Sequence, residues 1–140
     1  SQRLSGACVM NLTKYIGIPW IYRQSDCWAL FKLMSFELIG VTLPDLNLPD
    51  KSSIKANSKI FHEEMNSPRW TKVDLPSFGS AVVFYGNSDK AVHIGFAVDS
   101  KTVVHSMGSV KTRTSSRCDK IKSLVNKGLF KRYEFYNYTN

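Results

Sequence analysis

No stretch of this chain approaches the roughly eighteen apolar residues that a membrane-spanning helix needs. The longest apolar-rich run, Cys27 to Ile39, is broken by Lys32, Ser35 and Glu37, so no membrane span is expected. Cysteine is scarce: three residues, Cys8, Cys27 and Cys118, odd in number and far apart. That spacing does not read as a disulfide framework, and without a Cys-x-x-Cys pair it names no zinc site. The segment His62-Glu63-Glu64-Met65-Asn66 lacks the second histidine of a His-Glu-x-x-His zinc motif, and His62 reads as a solvated helix residue. No metal or cofactor is therefore expected. Repeats and low-complexity linkers are also missing. Arg3 is not followed by an apolar core segment, so no secretory leader is read. Ser5-Gly6-Ala7-Cys8 is faintly similar to a lipoprotein cleavage site, but without that segment Cys8 is read as a small core residue.

Acidic residues are the minority, 11 against 19 basic, for a net charge of +8. Such a surplus favours an anionic partner: nucleic acid, a membrane surface or an acidic polymer. The basic residues are dispersed and no nucleic-acid-binding motif is present, which disfavours nucleic acid. At 140 residues and 43% apolar composition, the chain is long and apolar enough to bury its own core, and is read as one domain over 1–140.

Leu4, Cys8, Leu12, Tyr15 and Ile16 fall at helical spacing, ended by Gly17 and Pro19. A second helix is expected from Cys27 to Ile39, capped by Ser25 or Asp26 before it and Gly40 after it. Ser52 to Met65 reads as a third. Beyond Pro68 the texture changes to strands: Ala81–Tyr85, Ala91–Val98 and Thr102–Ser106, an antiparallel meander that Val110–Thr114 continues. Asp119–Asn126 reads as a short helix and Leu129–Tyr138 as a last strand. Helices first and strands afterwards is an α+β order.

That order puts Cys27 at a helix N-terminus, where the partial positive charge favours thiolate over thiol and free N–H groups can hold an oxyanion. Trp28 shares the helix start, where it either walls a cleft or packs the core. His93 lies in the strand Ala91-Val92-His93-Ile94-Gly95-Phe96, and strand alternation puts it on one face with the small residues Ala91 and Gly95. His105 follows twelve residues later, in Val103-Val104-His105-Ser106. Two strands joined by a short turn can set the two histidines side by side. A thiol, an imidazole base and a third polar group that orients the base are the parts of a nucleophilic triad.

These residues carry a resemblance. Tyr15-Ile16-Gly17-Ile18-Pro19-Trp20 followed by Asp26-Cys27-Trp28-Ala29-Leu30 resembles the nucleophile segment of the NlpC family of cell-wall cysteine peptidases, and looks most like its phage-tail members. Leu75-Pro76-Ser77-Phe78-Gly79-Ser80-Ala81-Val82-Val83-Phe84 resembles the family's first core strand. His93-Ile94-Gly95-Phe96-Ala97-Val98 and Val103-Val104-His105-Ser106 resemble the strands that carry the base and the third polar residue.

The resemblance implies a papain-like α+β fold, with the nucleophile at a helix start packed on an antiparallel sheet. It implies cleavage of amide bonds in peptidoglycan stem peptides, commonly the bond from D-glutamate to a diamino acid. Cys27 would attack, His93 would act as base and His105 would orient it. Trp20 would line the cleft, with Tyr22 a second candidate and Asp26 and Trp28 at its edge. The setting implied is a phage virion, in the tail beside other tail-tip proteins, or the host cytoplasm during tail assembly. Arg23-Gln24 stands where the family often has a glycine pair. That departure keeps an alternative in view: a non-catalytic structural or wall-binding module of a phage tail on the same fold.

Overall fold

The computed structural model describes residues 12–22, 24–46, 48, 54–108 and 114–139. Helix α1 spans Cys27–Ile39. Asp26 caps it, its carboxylate accepting from the Ala29 N–H at 3.0 Å. Gly40 ends it in the left-handed region at φ 68°, a conformation that costs glycine nothing. Helix α2 spans Ile54–Met65. Six strands follow: β1 Trp70–Val73, β2 Ala81–Tyr85, β3 Ala91–Ala97, β4 Thr102–His105, β5 Arg117–Lys120 and β6 Arg132–Tyr138, with a short helix α3, Ile121–Asn126, between β5 and β6. They form one sheet in the order β1-β6-β2-β3-β4-β5, and every pairing is antiparallel.

The central strands read as continuous apolar runs rather than alternating ones because both faces of the sheet are covered. Helices α1 and α2 lie on one face, where Phe31, Met34 and Phe61 pack with Ala81, Val83, Ile94, Phe96 and Val104. On the other face Val82, Phe84, Ala97 and Val103 pack with Ile121 and Leu124 of α3 and with Phe130, Tyr133 and Phe135. Burying a side chain of this size contributes about 1.5–3 kcal/mol, and the two layers hold the sheet between them.

Several expectations are corrected here. Of the helix expected over residues 4–16, positions 4–11, with Cys8, lie outside the described residues, and the described part is only a 3-10 turn, Thr13–Tyr15. Residues 110–113 of the expected continuation of the meander also lie outside. Among the described residues the strand after β4 is Arg117–Lys120, whose last two residues, Asp119 and Lys120, the sequence reading places in or beside a helix. Strand β1, at the far edge of the sheet, was not expected at all. Cys118 is disulfide-bonded, which the reading that the spacing is no disulfide framework leaves out, whereas Cys27 is free.

Candidate active site

The nucleophile candidate is the first residue of α1, and the sheet holds that helix start in place. Ser106, just past the end of β4, donates its hydroxyl to the Ser25 carbonyl at 3.0 Å. Ser25 in turn donates to the Pro19 carbonyl at 2.5 Å. Pro19 bridges to Ser115, and the Trp20 N–H reaches the Thr114 carbonyl at 2.8 Å. The segment before α1 is thus tied to the strands at two points, and Cys27 opens onto a narrow cleft of about 90 Å³. Trp20, Tyr22 and Asp26 line that cleft with Cys27 and His93, while Asn57 and Phe61 of α2 close its far side. The Tyr22 hydroxyl donates to the Leu48 carbonyl at 2.5 Å.

A bulge in β3 aims His93. Phe84 pairs with His93, but the next residue of β2, Tyr85, pairs with Ala91, so Val92 is extra and the alternation breaks there. Ala91 therefore packs in the α1–α2 layer, while His93 turns to the other face, against Phe84. The sequence expectation that both share a face holds for Gly95 and fails for Ala91. Bulges re-aim side chains in this way beside functional sites. The His93 ring stacks on Phe130 at 5.2 Å and 5° between planes and lies 5.5 Å from Phe84.

His105 sits behind His93. Its Cα pairs with Gly95 across β3 and β4. Glycine is needed there: a Cβ on residue 95 would come within 2.4 Å of Val103 Cγ2 and 3.0 Å of His105 Cβ. His93 Nε2 and His105 Nδ1 are 2.8 Å apart. His105 Nε2 lies 2.8 Å from Asp119 Oδ2. Arg117 holds the same carboxylate, with Nε 2.8 Å from Oδ2 and Nη2 donating to Oδ1 at 3.1 Å. The row runs from cleft to surface as Cys27, His93, His105, Asp119, Arg117.

The electrostatics of the pair nearest the cleft favour neutral groups. Burial, and then the Asp26 carboxylate, push the Cys27 thiol up to about 12, against the N–H groups of Ile94, Trp28 and Cys27 itself. The helix start was expected to favour the thiolate; desolvation outweighs it here. Burial, and then the electrostatic influence of the neighbouring His105 ring, hold His93 well below the usual histidine range. The carboxylate of Asp119 is held below its usual value although burial opposes this, because His105 and Arg117 hydrogen-bond to it.

Trp28 does not line this cleft. It is buried, donates its indole N–H to the Pro44 carbonyl at 2.9 Å, and lines a neighbouring groove of about 480 Å³ with Lys32, Phe36 and Leu43. Asp26 borders both. Among the described residues no group of three or more His, Cys, Asp or Glu is disposed to hold a metal ion, and no helix is long and apolar enough to cross a membrane.

Sequence reasoning missed Asp119, Phe130 and Asn57. Asp119 would have emerged from reading Arg117–Lys120 as a strand: Val103 pairs with Asp119 and His105 with Arg117, so all four share one face. Asn57 carries a buried side-chain oxygen with no hydrogen-bond partner among the described residues, and nothing in its polar helix marks it beforehand.

No protein-family model matches the chain, and no curated protein sequence matches it. Among solved structures it is similar to the crystal structure of the NlpC/p60 domain of the peptidoglycan hydrolase SagA, with a TM-score of 0.56 and 14% sequence identity, over 95% of this chain and 97% of that one. At that identity the likeness speaks for the fold, and the chain has the papain-like α+β fold of that domain.

Proposed function

We propose that this chain is a cysteine endopeptidase that hydrolyses amide bonds in peptidoglycan stem peptides. The observation that carries the reading is the thiol of Cys27, at the N-terminus of α1, sharing one cleft with His93, whose far nitrogen meets His105 at 2.8 Å. The fold shared with the domain of a peptidoglycan hydrolase supports the substrate class, and the net charge of +8 suits a wall rich in carboxylates.

With the thiol and the imidazole both neutral at rest, the proton moves as the bond forms. Cys27 Sγ attacks the scissile carbonyl carbon while His93 takes the thiol proton on Nδ1, the nitrogen not engaged by His105. N–H groups at the start of α1 stabilise the oxyanion. His93 then gives its proton to the leaving amine, and the resulting thioester is hydrolysed by water that passes a proton to the same nitrogen. Trp20, Tyr22 and Asp26 border the cleft as substrate contacts. The bond from D-glutamate to a diamino acid is the proposed target.

The proposed setting is the tail of a phage virion, beside other tail-tip proteins, on the likeness of the Asp26-Cys27-Trp28 segment. The disulfide at Cys118 favours the assembled particle or the cell wall over the host cytoplasm, since disulfides persist in oxidising surroundings.

A second reading, an inert wall-binding module, draws on the upward-shifted thiol of Cys27. Digestion of purified peptidoglycan of diaminopimelate and lysine types, followed by mass spectrometry, separates the two. New fragments from wild type and none from Cys27→Ala are expected. Fragments from both, or from neither while the chain still sediments with the wall, would overturn the peptidase reading.

A further inference from the structure

We infer that Asp119, clamped by Arg117, is a positioning residue that fixes the tautomers of both histidines, extending the row of Cys27, His93 and His105 to a fourth member. The inference rests on the reading of His93 as the base. Asp119 is 8% exposed at its side chain; its Oδ2 lies 2.8 Å from His105 Nε2 and forms an ion pair with Arg117 Nε at 2.8 Å. A carboxylate only accepts hydrogen bonds, so His105 must carry its proton on Nε2 and donate. A neutral His105 then has a lone pair on Nδ1. The facing nitrogen, His93 Nε2, must be the donor in that 2.8 Å contact. A neutral His93 with its proton on Nε2 has its lone pair on Nδ1, the nitrogen left for the thiol. The choice made at Asp119 thus propagates through two imidazoles and reaches the cleft as a base that can accept a proton.

The same arrangement serves every stage of turnover. When His93 takes the thiol proton it becomes an imidazolium that still donates from Nε2 to His105, and His105 still donates to Asp119. No hydrogen bond has to reverse. The reverse orientation, with the proton of His105 on Nδ1, would force His93 to accept on Nε2 and to carry its proton on Nδ1. Its N–H would then face the thiol, and it could not act as base. Arg117 keeps Asp119 ionised and in place through contacts to both carboxylate oxygens.

Among the described residues the charged and titratable groups facing this row are few. Strand β5 supplies Asp119 and Arg117, and the start of α1 supplies Cys27 and Asp26. From β2 and the turn before β6 come the Phe84 and Phe130 rings. Asp119 is therefore the carboxylate in contact with His105, and its loss leaves nothing in the row to select the tautomer.

The test is imidazole nitrogen NMR on 15N-labelled protein at mildly alkaline pH, where long-range proton–nitrogen correlations distinguish the two neutral tautomers. In wild type both His93 and His105 are expected as the Nε2–H form. In Asp119→Ala the Nδ1–H form of His105 should appear and His93 should follow it. Asp119→Asn keeps the shape should the alanine variant not fold. In either of its orientations its NH2 faces a donor, of His105 or of Arg117, and it is expected to show both tautomers of His105. Cleavage should fall in the same variants on the order of 100-fold or more in kcat, with KM little changed, as when a base is held in the wrong tautomer. Imidazoles that remain wholly Nε2–H in a folded Asp119 variant would overturn the inference. The NMR readout needs no substrate, so a wild type that shows the expected tautomers but leaves peptidoglycan intact would count against the proposed substrate and not against the role of Asp119.

Discussion

At the scale of single residues, the site depends on small displacements of proton and atom. The neutral pair of Cys27 and His93 has a kinetic signature. Burial holds His93 below the usual histidine value of 6.5, and the thiol is pushed up to about 12. The base is active when unprotonated, so kcat/KM should rise with pH through a midpoint below 6.5 and then stay flat through roughly pH 9, as for a base whose titration alone limits the rate. A main rise centred above pH 8 would mean instead that the thiol ionises before attack. A pH–rate profile on a soluble stem peptide decides between them. Gly95 sets a second condition. A methyl there meets Val103 Cγ2 at 2.4 Å and His105 Cβ at 3.0 Å, so Gly95→Ala must push β4 or the His105 side chain away from β3. Overpacking of this kind costs roughly 1–3 kcal/mol. Activity should fall further than that loss of stability explains, because the 2.8 Å contact to His93 is what moves. Thermal melts and kcat for the same variant measure the two effects.

At the scale of elements, legibility follows local signal. Helix α1 could be read to its ends because an apolar run lies between a capping Asp26 and a left-handed Gly40. Strands β2 and β3 could be read because Val82, Val83, Phe84, Tyr85, Val92, Ile94 and Phe96 are β-branched or aromatic and the runs are bounded by turn residues. Strand β5 could not. Its four residues are Arg117, Cys118, Asp119 and Lys120, poor strand formers that hold their conformation because β4 lies beside them. The catalytic candidates on β3 and β4 were legible for the same reason their strands were, and Asp119 was lost with its strand. Joints between elements are equally silent in sequence. Glu64, near the end of α2, is buried and accepts from Arg69 Nε at 3.0 Å and Nη2 at 2.8 Å. It also accepts from the Trp70 indole N–H at 2.7 Å, so one carboxylate ties α2 to the first residue of β1. Glu64→Ala strands the indole N–H in a buried site, at about 1–3 kcal/mol for that group alone. A lower melting temperature is expected with kcat unchanged at temperatures where the variant stays folded, since the joint lies away from the cleft. Loss of kcat in the folded variant would show that this joint also sets the positions of Asn57 and Phe61, the α2 residues that line the cleft.

At the scale of the molecule, what the sequence could not convey is the return of the last strand. Strand β6 inserts between β1 and β2, pairing residues as far apart as Trp70 and Tyr138, which no local pattern announces. It also brings the most heavily engaged carboxylate in the described structure. Glu134 on β6 bonds to Lys72 at 2.8 Å, to Tyr85 at 2.5 Å, to Tyr136 at 3.0 Å and to Arg132 at 3.0 Å, and so joins β1, β2 and β6. Burial works against its ionisation, but these partners hold it down at about 2. Asp119, at the other end of the sheet, is also held below its usual value. A carboxylate with a folded pKa below its unfolded one contributes stability above the unfolded value, and that stability is lost as pH falls toward the folded one. His93 adds to the same trend earlier. Its folded pKa is also depressed, so the unfolded chain binds a proton as pH drops below about 6.5 while the folded chain does not. Stability should therefore decline in two stages on acidification, a first shallow fall below about pH 6.5 and a steeper one below about pH 4. Urea midpoints measured across that range would show it. His93→Phe, which preserves a ring against Phe130 and Phe84, should remove part of the first stage and leave the second. Glu134→Gln should weaken the second and leave the first. A single transition unaffected by either change would mean that neither group is buried and partnered as described.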